Sequence, residues 1–403
     1  MKNIKTIATA SLLLSFIGAT AQTPYDAARF SGNELNGTAR FVGMGGAMSA
    51  LGADISVIGS NPAGIGLFRG HDFTASFGFN ATKTASDFGG NTMNEKRNRA
   101  SFDQIGFVYT SKIGNRTKLR YVNFGFNYHK SKNFNRQFAS GGMLGGISQT
   151  GQMANMINAW IDGPSTLDKQ IGDIYNYGIE DGLTNPYHPT QSPYPYLGVM
   201  GVRSELVYVN KDDPTQLMYM NGHANGYRSV EEGGISDYDF NVSFNVEDRM
   251  CFGATIGVHD VSCRRSSYYT EDVYNNSSSG FYEINNLFST DGTGFDFKLG
   301  AIFRPFEESP FRFGIAVHTP IWYALTDIYS SNMYTYLEDS STEKVLVDFK
   351  ESPQYYTDGD VLRDYQMVTP WRFNVSMGTV VAGNIALGAE YEFIPQFGIT
   401  ECF

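Results

Sequence analysis

From residue 73 onward, apolar and polar positions alternate with a period of two. Phe73, Ala75, Phe77, Phe79 and Ala81 make one face, and Thr74, Ser76, Gly78 and Asn80 make the other. The alternation recurs over 105–109, 122–129, 238–246, 252–259, 295–299, 311–318, 371–378 and 385–393. A strand sends successive side chains to opposite faces, so each run predicts a strand with one apolar and one polar face. The apolar faces are aromatic or aliphatic; the opposite faces carry Gly, Asn, Ser, Thr or charge. A strand crossing a bilayer needs about 9–11 residues, apolar toward lipid and polar toward a lumen. Within lipid, strands satisfy every backbone group only by closing on one another. The runs therefore predict an all-β chain, a transmembrane antiparallel β-barrel spanning 68–403. A soluble array of β-sandwiches would produce similar runs.

The connections are unequal. Gly114-Asn115-Arg116 and Glu247-Asp248-Arg249 read as tight turns. The stretches 134–235 and 332–365 are long and predict extracellular loops. Inside the first, Met153, Met156, Ile157, Trp160 and Ile161 fall at helical spacing. They either pack against neighbouring loops or form a soft apolar groove that captures greasy ligands. The Pro- and Tyr-rich run 185–196 predicts extended or turn-rich chain. The segments 202–209 and 216–220 predict a hairpin.

The start of the chain has a different pattern. Lys2 and Lys5 precede an apolar run over 7–17 and then Ala19-Thr20-Ala21, a signal peptide over 1–21 with Gln22 as the first mature residue. The segment 22–67 is rich in glycine and small residues, and Asn61-Pro62 suits an N-cap followed by the first helical position. Close backbone packing at Gly43, Gly45 and Gly46 is expected to make this segment a compact plug.

Arg40-Phe41-Val42-Gly43-Met44-Gly45-Gly46-Ala47, then Asp54, then Asn61-Pro62-Ala63-Gly64, resembles the N-terminal hatch of FadL/TodX-type outer-membrane transporters for hydrophobic compounds. The resemblance implies a barrel of about fourteen strands, within the range of such proteins. Pro395 and Gly398 interrupt the alternation of the tail, so the barrel is expected to be C-terminally incomplete. It further implies a hatch whose gating residues are Gly43, Gly45, Gly46, Asp54, Asn61, Pro62, Ala63 and Gly64. The implied function is passive uptake of hydrophobic small molecules, such as long-chain fatty acids, into a Gram-negative outer membrane. Capture in the extracellular region falls to Met153, Met156, Ile157 and Trp160. The implied route ends sideways, through the wall into lipid. The partners implied are the hydrophobic ligand, outer-membrane lipid and the barrel-assembly machinery.

Composition narrows the alternatives. Tyr and Phe number 25 and 30, a load that suits an apolar outer wall with aromatic girdles. The net charge of −11 argues against a nucleic-acid partner. No nucleophile elbow, zinc-protease or P-loop motif is present, so no enzyme, cofactor or metal is expected. Cys251 and Cys263 fall on one extended run, too far apart to pair. His129, His259 and His318 lie on polar strand faces. They are solvated lumen side chains or, on a weaker reading, haem or metal ligands. Asp54 with Arg40 either bridges plug to wall or is an ordinary buried pair. A binding protein or adhesin using the Tyr-rich 187–238 region, and a haem receptor, are the competing functions.

Overall fold

The computed structural model describes residues 29–402 apart from 33, 178, 188–192, 339–343, 347–355, 358–359, 383 and 396–399. The expected signal peptide lies outside the described residues. The strands in chain order are β1 (Asp72–Phe88), β2 (Asn91–Lys112), β3 (Leu119–Asn133), β4 (Arg136–Gly146), β5 (Val207–Val209), β6 (Leu217–Tyr219), β7 (Asn221–Val246), β8 (Met250–Tyr274) and β9 (Ser279–Phe303). They continue with β10 (Arg312–His318), β11 (Trp322–Leu337), β12 (Lys344–Leu346), β13 (Tyr356–Thr357), β14 (Asp360–Val368), β15 (Arg372–Val381), β16 (Ile385–Phe393) and β17 (Thr400–Cys402). All but β5 and β6 belong to one large, curled antiparallel sheet. Every alternating run falls in a strand to within one residue. The aromatic face points outward: Phe73, Phe77 and Phe79 are at least 70% exposed. No described helix is long and apolar enough to cross a membrane.

The ladder runs β1-β2-β3-β7-β8-β9-β10-β15-β16, and among the described residues no ladder joins β1 to β16. Tight turns link neighbours, as at Glu247 and Asp248, which both take positive φ. Three wall strands are interrupted. β10 and β11 both pair with β9, from Phe313↔Phe303 to His318↔Lys298 and from Trp322↔Phe295 to Leu337↔Gly280. Between them Pro320, which has no N–H for a ladder, sits in a bulge with one residue more than β9 opposite. β15 and β14 break beside it at Pro370 and pair with β10 and β11. β3 and β4 follow one another along β7, with a break at Phe134. A one-residue bulge reverses which side chains face inward. Gly314, Ala316 and His318 face the concave side below the Pro320 bulge, and Tyr323 and Leu325 face it above.

The long loops are shorter than the pattern predicts. β4 and β7 extend into 134–235, leaving 147–220, while β11 reaches Leu337 and β14 begins at Asp360, inside 332–365. The upper part of β7 carries polar residues on both faces, with Arg228 and Ser229 before Val230 and Glu231 and Glu232 after it. The backbone ladder continues there after the hydrophobic alternation has ended. Helix α1 (Ala39–Gly43) belongs to the N-terminal segment. The region 147–220 folds into α2 (Gln149–Asn158), α3 (Leu167–Asn176), α4 (Tyr196–Arg203) and the β5–β6 hairpin. The expected hairpin is present but shorter, as Val207–Val209 and Leu217–Tyr219, with Val202 and Arg203 in α4. This small unit has its own core, in which Met153, Ile157, Met200 and Leu206 pack with Tyr282 of β9 and Met333 of β11. Buried Glu271 of β8 ties the unit down, accepting hydrogen bonds from Tyr269, Tyr282 (2.6 Å) and the Gln149 N–H (3.3 Å).

Candidate functional site

Residues 39–67 lie against the concave face of the sheet, and three caps shape them. Thr38 accepts from the Phe41 N–H at the start of α1. Asp54 opens a 3-10 turn over Ile55–Gly59 by accepting from the Ser56 N–H at 2.9 Å. Asn61 opens a second over Pro62–Leu67 by accepting from the Ala63 N–H at 3.1 Å, with Pro62 at its first position. Asn61, Pro62, Ala63 and Gly64 are all buried. Asp54 is also buried and takes Thr38 Oγ1 at 2.8 Å and Arg40 Nε at 3.0 Å. Its partners all lie within the segment, so the Arg40–Asp54 pair does not bridge to the wall, and Arg40 is 64% exposed.

Close glycine contacts lie on both partners: within the segment a Cβ on Gly52 or Gly64 would stand 2.5 Å from Leu67 or Val57, but Gly43 and Gly45 are not among the tight positions. A Cβ at Gly43 or Gly45 would meet nothing within 4 Å, which corrects the expectation of close packing there. Gly45 and Gly46 are needed instead for positive φ, +63° and +81°. Across the interface the wall makes the closest approach. A Cβ on Gly253 would stand 2.3 Å from the Pro62 carbonyl carbon, and one on Gly300 2.0 Å from Asn61 Oδ1. One on Gly388 would stand 2.0 Å from the Ala47 oxygen. Wall amides supply the polar half of the contact. Asn123 Nδ2 donates to Ile65 O at 2.7 Å, Asn241 to Pro62 O at 3.3 Å and Asn245 to Gly66 O at 3.1 Å. Ser56 Oγ donates to Gln104 on β2 at 3.1 Å, and His318 Nε2 meets Ser60 O at 2.9 Å.

Next to this contact lies a layer of buried charge. Lys298 Nζ meets Asp239 at 2.7 Å and Asp296 at 3.4 Å. His259 reaches Asp237 at 2.7 Å and Asp296 at 3.3 Å, and His129 stands 3.6 Å from both Asp237 and Asp239. Charges taken out of water persist only when paired, and these pair with one another. The three histidines thus face the concave side, as the alternation predicts, but His259 and His318 are committed to protein partners. No group of three or more described His, Cys, Asp or Glu residues is arranged to hold a metal ion. Cys251 and Cys263 are both buried on β8.

A second buried layer is apolar, and the sequence pattern did not single it out. Ile235, Val261, Cys263, Ile321, Tyr323, Leu325, Tyr365 and Met367 form a belt with Phe30 and Phe134. Apart from Phe30, Phe134 and Ile321, its members come from β7, β8, β11 and β14. The phase reversal at the Pro320 and Pro370 breaks hides it, because the belt positions on β11 and β14 continue the outward parity of β10 and β15.

The sheet has a weak seam beside the belt. The β2–β3 ladder stops at Gln104↔His129. Above it β2 pairs only with β1, while β3 and β4 follow β7. Side chains span the gap: Thr84 Oγ1 donates to Gln137 O and Ser86 Oγ to Ala139 O, both at 2.6 Å, and Asn91 Nδ2 donates to Gly141 O at 3.2 Å. Near the seam, beyond Tyr238 and past the apolar outward band, buried Glu231 is gripped by Arg29 (3.0 Å), Arg136 (2.5 Å) and Arg265 (2.6 Å). Burial alone would raise the Glu231 carboxyl. The Arg136 hydrogen bond and the charges of Arg265, Arg29 and Arg136 outweigh it and hold the group below the usual glutamate range.

The expected capture stripe is split. Met153 and Ile157 are fully buried in the core of the 147–220 unit, Met156 is half-buried and Trp160 is 51% exposed. Two of its four residues are committed to packing. No family model, curated protein or solved structure matches this chain.

Proposed function

We propose that the chain is the wall and plug of an outer-membrane barrel that passes hydrophobic small molecules, long-chain fatty acids among them. The observation that carries this reading is the apolar belt. It is a buried greasy layer on the concave face of a sheet whose convex face is also apolar. A soluble β-sandwich buries one apolar face against another sheet; here the aromatic convex face is left bare and the apolar layer inside is ringed by charge. The N-terminal segment, seated on wall glycines, is the plug. The seam between β2 and β3 is a stretch of wall beside the belt that lacks a backbone ladder, and we take it as the exit to lipid. An apolar chain gains about 0.8 kcal/mol per methylene on leaving water, so release sideways into lipid is favoured over release into water.

Mass spectrometry of lipid retained by the purified protein tests this reading. The expected result is a bound apolar-chain compound in the wild type, lost in Leu325→Asp, which places a charge in the belt. A clean wild type, or a lipid retained equally by the variant, counts against it.

A further inference from the structure

At the loop end of the wall, three neighbouring strands carry a two-row patch on the convex face. Val273 of β8, Tyr282 of β9 and Leu337 of β11 are buried on the concave side, so the residues flanking them point outward. One row is Asp272, Phe281 and Tyr336, aligned by the pairs Asp272↔Phe281 and Tyr336↔Phe281. The other is Tyr274, Ser279 and Glu338: Tyr274 pairs with Ser279, and the Glu338 N–H donates to Ser279 O at 2.9 Å. His223 joins from a one-residue bulge in β7, its ring 6.5 Å from that of Tyr274. These residues line a groove of about 560 Å³. The groove lies about 45 Å along β9 from Phe295 of the convex aromatic band, at the rise of an extended strand.

Its chemistry is aromatic and acidic. The Phe281 and Tyr336 rings stand 5.9 Å apart, tilted by 30°, and Tyr336 and Tyr274 are 37% and 41% exposed. Asp272 has no hydrogen-bond or ion-pair partner among the described residues, and Glu338 accepts from Ser279 Oγ at 3.0 Å. No Lys or Arg lines the groove. The acids stand two strands and two residues apart, about 12 Å between backbones, diagonally across Phe281. A cation over that ring would meet the negative face of the aromatic system with a carboxylate on either side. A neutral sugar could stack on the same rings but would leave both carboxylates without a countercharge.

We propose that this groove binds an alkylated ammonium group, held over Phe281 and Tyr336 between the carboxylates of Asp272 and Glu338. The site is separate from the plug, the belt and the seam, and does not depend on passage of anything through the wall.

The test uses the full chain in an uncharged polyoxyethylene detergent. The probe is choline, titrated and read by saturation transfer from the protein to its methyl protons. The comparisons are 3,3-dimethylbutan-1-ol, which has the same shape without the charge, and glucose. Choline should bind at least about tenfold more tightly than either, because the neutral molecules forgo both the ring and the carboxylate attraction. Phe281→Leu keeps apolar volume without a ring and should weaken choline about threefold to fivefold, the worth of one exposed cation–π contact. Asp272→Asn keeps shape without charge and should weaken it about threefold. Both substitutions lie on the outer face, so heat-modifiable gel mobility should be kept. Absence of transfer to choline overturns the proposal. So does binding of the neutral isostere or of glucose as tight as that of choline, or choline binding unmoved by either substitution.

Discussion

At the residue scale, two glycine substitutions separate conformational from steric need. Gly45→Ala places a side chain in open space at a positive φ and should cost only the left-handed penalty, about 1–2 kcal/mol. Gly253→Val instead drives atoms into the Pro62 backbone, which has no rotamer with which to retreat. Overpacking of this kind costs about 1–3 kcal/mol, and here it pushes on the N-terminal segment. Vesicle swelling in small sugars should increase with Gly253→Val and stay near wild type with Gly45→Ala. Glu231 supplies a pH dependence. Its folded-state carboxyl titrates lower than in the unfolded chain, so the unfolded state binds more protons and stability is lost as the pH is lowered. The contribution is complete at neutral pH. It begins to fade near the ordinary glutamate value of about 4.3 and is lost below the depressed one. Glu231→Gln should abolish this acid-sensitive part and cost about 1–3 kcal/mol in urea at pH 7, since three arginines lose their common negative charge.

At the element scale, the Pro62–Leu67 turn depends on Asn61. Its amide caps the turn and also approaches the wall carbonyls of Ala301 (3.5 Å) and Ile315 (3.4 Å). Asn61→Ala should cost about 1 kcal/mol for the cap alone. It should show as faster amide exchange over 61–68, with the strands unaffected. This turn was legible in the sequence because Asn-Pro at a helix start is a local signal. The strands with an aromatic convex face were legible for the same reason: Phe73–Phe79 or Phe240–Phe244 announce a face every second residue. Other features depend on contacts that no local pattern records. The partners of Asp54 turned out to be Thr38, Arg40 and Ser56 of its own segment, and the tight glycines turned out to be Gly52 and Gly64 within the segment and Gly253, Gly300 and Gly388 of the wall. The belt was missed because Tyr323 and Met367 inherit an outward-looking parity that the bulges reverse. The upper halves of β7 and β8 were missed because both their faces are polar.

At the scale of the whole molecule, the account requires the convex face to sit in lipid. Leu299, 62% exposed among outward Phe295 and Phe297, is a central position of that face. Leu299→Arg should destabilise folding into bilayers by about 2–4 kcal/mol, the cost of a cation near the midplane. A soluble protein would tolerate this exposed substitution within about 0.5 kcal/mol. Urea titration in vesicles, compared with urea titration in aqueous buffer, separates the two.

The central claim is movement of an apolar molecule across a membrane by this chain. The most direct measurement is the flux of labelled palmitate into phosphatidylcholine vesicles containing the protein, read by a fatty-acid-binding reporter trapped inside. Uptake is expected well above that of protein-free vesicles, saturating with palmitate and unmatched by a sugar of similar mass. Uptake equal to that of empty vesicles, from protein with heat-modifiable gel mobility, would contradict it.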